Sequence, residues 1–178
     1  MGTGKLLIVV DMQNDFVTGS LGSKRAESIV NNVREKIDFY RENNYRVIFT
    51  RDTHQANYLE TQEGKILPVE HCIENTNGWQ IYDGLDERFV NPEYVNKPAF
   101  GWKNWQGMLE AKINETDEIE LVGLCTDICV VSNALLLKCF YPEVKITVDA
   151  KCCAGVTEES HKAALLTMKM CQINIINE

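Results

Sequence analysis

Proline is scarce, at four residues in 178, and the eleven glycines are scattered, so no low-complexity tract, repeat or interdomain linker stands out. The longest apolar runs, residues 6–10 and 134–137, fall far short of the roughly 20 residues a membrane span requires. Positive charge is also in short supply. Against 26 Asp and Glu stand 18 Lys and Arg, a formal charge of −8, which argues against a basic surface for nucleic acid or anionic lipid. The opening Met-Gly-Thr-Gly-Lys segment lacks the apolar run of a signal peptide, and Leu6 stands where a myristoylation motif takes Ser or Thr; a cytoplasmic location is expected. Its Gly-Thr-Gly-Lys precedes a strand and is followed by Leu, unlike a phosphate loop. Nor is there an even set of cysteines: the seven include adjacent Cys152 and Cys153, and free thiols are expected rather than a disulfide framework.

What remains is a chain with 44% hydrophobic residues, long enough for one buried core and short for two, so residues 1–178 are expected to form a single domain. Residues 5–10 form a β-rich apolar run closed by Asp11, the pattern of a strand buried on both faces. Over residues 27–40, Val30, Val33, Ile37 and Tyr40 recur at helical spacing before Asn43 and Asn44 interrupt. Further strands are expected at 45–50, in a short extended piece within 94–100, and at 118–123, 145–148 and 172–176. Helices are expected at 105–113 (with Met108 and Leu109 inward), 130–140 and 158–170. Residues 55–92 form an excursion too long for a simple connection. This alternation predicts an α/β fold: a doubly wound, mainly parallel six-stranded sheet with helices on both faces. Ligands bind beyond the carboxyl ends of the strands in such folds, where Asp11, Asp52, His54, Lys97 and Cys129 lie.

Cys129 follows a strand and a turn at Gly123 and opens an apolar helix, where unpaired amides and the helix dipole favour a thiolate and could hold an oxyanion. A cysteine on a buried helix is by itself more often packing than chemistry, Asp11 alone could cap a turn, and Lys97 alone could be a solvated charge. Together they supply a nucleophile, a proton-transfer group and a fixed cation.

The segments Leu7-Ile-Val-Val-Asp-Met-Gln-Asn-Asp-Phe16, Asn96-Lys-Pro-Ala-Phe100 and Gly123-Leu-Cys-Thr-Asp-Ile-Cys-Val130 resemble, in order and spacing, the isochorismatase-like cysteine hydrolases, a superfamily that includes nicotinamidases. The resemblance covers essentially the whole chain. It implies a catalytic triad at Asp11, Lys97 and Cys129, an oxyanion hole from the backbone amides of Cys125 and Cys129, and a cis peptide at Leu124-Cys125. It also implies amide cleavage through a thioester, because members that cleave a vinyl ether do not need the cysteine, and it implies a homo-oligomer.

Asp52-Thr-His54, then Glu63 and His71-Cys72, offer oxygen and nitrogen ligands suited to zinc or a similar divalent ion. Nicotinamidases carry an Asp-x-His with a later His for this purpose, so the resemblance implies metal ligation by Asp52, His54 and His71. This chain departs from the usual pattern by having Asn57 and Tyr58 where another His commonly follows, which makes Glu63 the substitute ligand and Glu60 the fallback. The implied substrate is nicotinamide, cleaved to nicotinate and ammonia, with Phe16 and Trp102, and also Trp105, available to line an aromatic slot. Cys125 and Cys129 lack the second pair of a zinc site, and His161 is expected on a helix surface. The rivals are a metal-independent hydrolase of another small amide or carbamoyl compound and a non-catalytic binding protein on the same fold. An intact Asp11, Lys97 and Cys129 set favours an enzyme.

Overall fold

A computed structural model describes residues 4–110, 113–114 and 117–178. The chain runs β1 (Lys5–Val10), α1 (Asn14–Val17), α2 (Lys24–Glu42), β2 (Arg46–Asp52), α3 (Gln62–Ile66), β3 (Glu93–Lys97), α4 (Trp105–Leu109), β4 (Glu118–Leu124), α5 (Val131–Phe140), β5 (Lys145–Ala154), α6 (Glu158–Met170) and β6 (Asn174–Ile176). The strands form one six-stranded sheet in the order β3-β2-β1-β4-β5-β6, and every pair is parallel.

The period-2 geometry of a strand explains why β1 is apolar throughout: Leu6, Ile8 and Val10 enter the core on one face while Leu7 and Val9 enter the core on the other. The apolar stripe of α2, Ala26, Ile29, Val30, Val33, Ile37 and Tyr40, covers the second face. Trp105 and Leu109 of α4, Ala134 and Leu137 of α5, and Leu165 and Met168 of α6 cover the first. Among the described residues, no helix is long and apolar enough to cross a membrane.

Several boundaries differ from the sequence expectation for identifiable reasons. Helix α2 begins at Lys24 rather than 27, because the Ser23 side chain accepts a hydrogen bond from the Ala26 amide at 3.1 Å and caps an exposed polar first turn. Strand β5 continues past 148 to Ala154; Asp149 interrupts the apolar run but is buried against Lys36, at 2.9 Å, so a charged residue sits inside the strand. Strand β2 reaches Asp52, two residues beyond the expected end, and β3 stops at Lys97. The helix expected at 105–113 is described as Trp105–Leu109, with Leu109 fully buried and Met108 partly so, while residues 111–112 lie outside the described residues. The 55–92 excursion contains α3 and two 3₁₀ turns, and isolated bridges from Gln13 to Ile81 and from His54 to Ile73 pin it to the sheet end.

Between β1 and β4 the strand order reverses direction, which opens a crevice at their carboxyl ends. Gly123 lets these two strands meet there: its φ is +117°, and a Cβ at this position would lie 2.1 Å from the Val10 carbonyl oxygen. Gly123→Ala is therefore expected to destabilise the fold by roughly 3 kcal/mol, read as a lower midpoint in urea denaturation. An unchanged midpoint would mean that the strand ends move apart at little cost.

Candidate active site

Asp11, Lys97 and Cys129 come from three elements and meet at the crevice. Asp11 follows β1 directly with a positive φ of 48°, an uncommon conformation for a residue with a side chain. It is held there by Thr50, whose hydroxyl donates to Asp11 Oδ1 at 2.6 Å and whose oxygen accepts from the Asp11 amide at 3.1 Å. Lys97, at the end of β3, is wholly buried and brings Nζ within 2.6 Å of Asp11 Oδ2, 3.5 Å of Asp52 Oδ1, 3.2 Å of the Ala99 carbonyl and 3.4 Å of Cys129 Sγ. Lys97 and Asp11 form a buried ion pair through Oδ2, and a carboxylate oxygen with one such partner keeps a second lone pair for another proton.

Cys129 lies near a helix N-terminus, as the sequence predicts, but α5 itself starts only at Val131. The cysteine lies in a π-helical turn, Thr126–Val130, that runs straight into α5 after a cis peptide at Leu124-Cys125. The expected bias toward thiolate is reversed: burial, and then the negative charge of Asp11, push the thiol well above its ordinary pKa, and Lys97 offsets only part of this. Burial likewise raises the Asp11 carboxyl against the opposing pull of Lys97. Lys97 is itself held above its ordinary value because the negative charges of Asp11 and Asp52 outweigh the penalty of burial. The resting arrangement thus places a neutral thiol beside the Asp11–Lys97 pair.

The second constellation forms around the end of β2. Asp52, His54, Glu63 and His71 each offer a ligand atom, and these four atoms lie within 4.8 Å of one another. His54 Nε2 is 3.0 Å and His71 Nε2 3.6 Å from Asp52 Oδ2; Glu63 Oε1 is 3.8 Å from His54 Nε2 and 3.9 Å from His71 Nε2. A tetrahedral zinc with bonds of about 2.1 Å has ligand–ligand edges of about 3.4 Å, so these donors are spaced to fit. The His71 Nδ1–H donates to the Val69 carbonyl at 2.8 Å, which fixes the tautomer that leaves Nε2 with its lone pair toward the cluster. Glu63 is placed by the first turn of α3, capped by Thr61, whereas Glu60, the fallback, is exposed and outside the group. Tyr58 packs its ring 4.6 Å from that of His54 and 4.9 Å from that of His71, and donates its hydroxyl to the Leu67 carbonyl.

Both constellations face one cavity of about 450 Å³, with Asp52, Glu63 and His71 on one wall and Cys125 and Cys129 on another. Phe16, Leu21, Phe100, Leu124 and Ile128 make its apolar lining. The expected aromatic slot needs a correction. Trp102 does not line the cavity; it stacks edge-on against Trp105 at 4.9 Å, and Trp105 is fully buried in the core. Phe100 takes that place, two residues earlier.

Several supporting residues carried no signal of their own in the sequence. Gln13, fully buried, donates to the carbonyls of Asp52 and Trp79 and accepts from the Asp52 amide, a side-chain substitute for strand pairing. Asn133 donates to the Cys129 and Phe100 carbonyls and accepts from the Trp102 amide and Trp105 Nε1–H, tying the β3–α4 loop to the π turn. Arg51 is sandwiched between the rings of Trp79 at 3.8 Å and Tyr94 at 4.0 Å, beside Asp52.

Residues 5–177 match the isochorismatase domain family. A nicotinamidase of Schizosaccharomyces pombe is 28% identical over 209 aligned positions, covering 97% of this chain and 92% of that relative. The crystal structure of a nicotinamidase/pyrazinamidase from Bacillus subtilis superposes with a TM-score of 0.86 at 26% identity, over 98% of this chain and 100% of that one. A pyrazinamidase of Pyrococcus horikoshii in complex with zinc gives 0.84 at 25% identity, over 98% and 99%. With nearly every residue inside the family match and the same sheet in these neighbours, the chain belongs to the isochorismatase family.

Proposed function

We propose that this chain hydrolyses nicotinamide to nicotinate and ammonia through a thioester on Cys129, with Asp11 as the proton carrier and Lys97 as the fixed cation. The observation that carries this reading is that one cavity of about 450 Å³ is lined both by Cys129 and by three of the four donors, Asp52, Glu63 and His71, with Asp52 also reaching Lys97 behind the thiol. The nicotinamidase relatives support the same substrate.

Asp11 takes the thiol proton on its open Oδ2 lone pair as sulfur attacks the carboxamide carbon. Lys97, 3.4 Å from Sγ, offsets the charge that appears on sulfur. The carbonyl oxygen becomes an oxyanion accepted by the backbone amides of Cys125 and Cys129. The proton on Asp11 passes to the amide nitrogen, the carbon–nitrogen bond breaks, and ammonia leaves a thioester. Asp11 then deprotonates water, which attacks the thioester carbon, and carbon–sulfur cleavage returns the thiol and releases nicotinate. A divalent ion such as zinc on Asp52, His54, Glu63 and His71 supplies, when bound, a Lewis-acidic anchor for the pyridine nitrogen. Phe16, whose ring lies 5.5 Å from that of His71, flanks the space above it and gives the aromatic ring an apolar face.

The test is ammonia release from nicotinamide by zinc-loaded, metal-stripped and reloaded protein. Activity that falls on stripping and returns on reloading is expected. No ammonia from nicotinamide by the loaded protein would overturn the substrate assignment, and metal-free turnover of a carbamoyl compound would replace it. His71→Ala is expected to lose stoichiometric zinc, measured by elemental analysis, and to lower kcat/KM on the order of a hundredfold.

A further inference from the structure

The π turn that carries Cys129 is fastened from the side by the segment joining β5 to α6. Thr126, fully buried, sits one residue after Cys125, and its hydroxyl lies 2.8 Å from His161 Nδ1 in the first turns of α6. The neighbouring Asp127 carboxylate accepts from the Val156 amide with both oxygens, at 3.2 and 3.1 Å. Gly155, between them, lines the cavity and allows His161 to close in, since a Cβ on Gly155 would lie 2.9 Å from the His161 Cβ. Helix α6 is itself held by a capping box in which Thr157 and Ser160 satisfy each other's backbone amides. His161, expected on a helix surface, is half-buried, and its Nδ1 reaches the buried Thr126 hydroxyl.

From this placement we infer that His161 is a positioning residue for hydrolysis: through Thr126 it sets the orientation of the turn whose backbone presents the Cys125 and Cys129 amides to the oxyanion. The inference rests on the hydrolytic reading above and deepens it. Burial holds the His161 imidazole below its ordinary pKa, so near neutral pH the ring is neutral and Nδ1 shares one uncharged hydrogen bond with the Thr126 hydroxyl. The imidazole touches neither the cavity nor the thiol, so it acts on transition-state geometry rather than on substrate affinity.

Steady-state hydrolysis of nicotinamide by His161→Leu, His161→Asn, Thr126→Val and the Leu/Val double variant tests this, with melting temperatures as a control for folding. His161→Leu is expected to lower kcat about tenfold with KM within about twofold, less than the loss of an oxyanion donor itself. His161→Asn places an amide where Nδ1 stood and is expected to recover kcat to within about threefold of the native enzyme. Thr126→Val is expected to match His161→Leu, and the double variant to be no worse than either, because one contact is removed in each. Native kcat in His161→Leu, equal losses in His161→Asn, or multiplied losses in the double variant would overturn the inference.

A second probe separates this from the substrate assignment. Pyridine-3-carbaldehyde adds to the Cys129 thiol by forming a carbon–sulfur bond, the thiol proton moving to the former carbonyl oxygen, and needs no leaving group. His161→Leu is expected to weaken this thiohemiacetal about tenfold. If the native protein binds the aldehyde in a His161-dependent way but releases no ammonia from nicotinamide, the substrate assignment falls and His161 keeps its role. Native turnover with an aldehyde affinity indifferent to His161 overturns the His161 inference alone; no aldehyde addition by the native protein counts against both.

Discussion

Cys129→Ala is expected to lose nicotinamide hydrolysis on the order of 10⁴-fold or more while melting at or near the native temperature. Rate and stability part company here because of the protonation state. Burial and the neighbouring Asp11 keep the resting thiol neutral, so its removal deletes a nucleophile without stranding a charge. The deleted sulfur contributes packing of one buried atom, a cost of about 1 kcal/mol, offset in part because Asp11 and Lys97 keep each other. Ammonia assay and differential scanning calorimetry on the same preparation check both halves. Residual activity above about 1% of native would remove Cys129 from the reaction.

Lys97→Met should lose both properties. The ammonium is the cation that Asp11 and Asp52 share, at 2.6 and 3.5 Å, and all three side chains are buried. Stripping one partner from a buried ion group costs on the order of 3–5 kcal/mol because the remaining charge is uncompensated. Asp11, whose pKa burial already raises, responds by taking a proton, and a protonated Asp11 cannot accept one from Cys129. Turnover near neutral pH should therefore fall on the order of 10³-fold or more. In the variant the folded state holds a proton on Asp11 that the unfolded chain has already released, so stability falls as pH rises, until Asp11 ionises in the folded state as well. Urea midpoints of Lys97→Met should decline between about pH 5 and 8 more steeply than those of the native protein. Parallel profiles would mean that Asp52 and solvent replace the missing cation more effectively than the buried geometry suggests.

The parts of this molecule that could be read from the chain are those with a repeating physical signal or a strand-end position. β1 was legible because Leu6 to Val10 must fill two cores at once, and α2 because its stripe from Val30 to Tyr40 faces only one. Asp11, Lys97 and Cys129 stood out as chemistry placed just beyond apolar runs, and Glu63 as the nearby oxygen donor in a segment short of histidine. What stayed hidden depends on contacts between distant segments. Thr50 is an ordinary strand threonine until it faces Asp11 across 39 positions, and Gln13 and Asn133 matter only through the backbones they join. The Trp102 misplacement has the same origin: whether an aromatic in a loop turns to the cavity or to the core is decided by Asn133, which accepts its amide, and by Trp105 beneath it. A helix terminus can be counted along the chain, whereas the complete burial that holds the Cys129 thiol up cannot.

The order β3-β2-β1-β4 bears on when the chain becomes reactive. Asp11 needs β2 for its threonine, Lys97 arrives on the far side of β2, and Cys129 comes from across β1, with the Thr50–Asp11, Lys97–Cys129 and Lys97–Asp52 partners 39, 32 and 45 positions apart in sequence. Such contacts form late, after loops have closed and strands have paired. Before those strands pair, position 129 carries a thiol of ordinary character, without the Asp11 base and the Lys97 cation that the folded sheet places beside it. Competence for hydrolysis is therefore conferred by assembly of the sheet, which brings base and cation to the sulfur in one step.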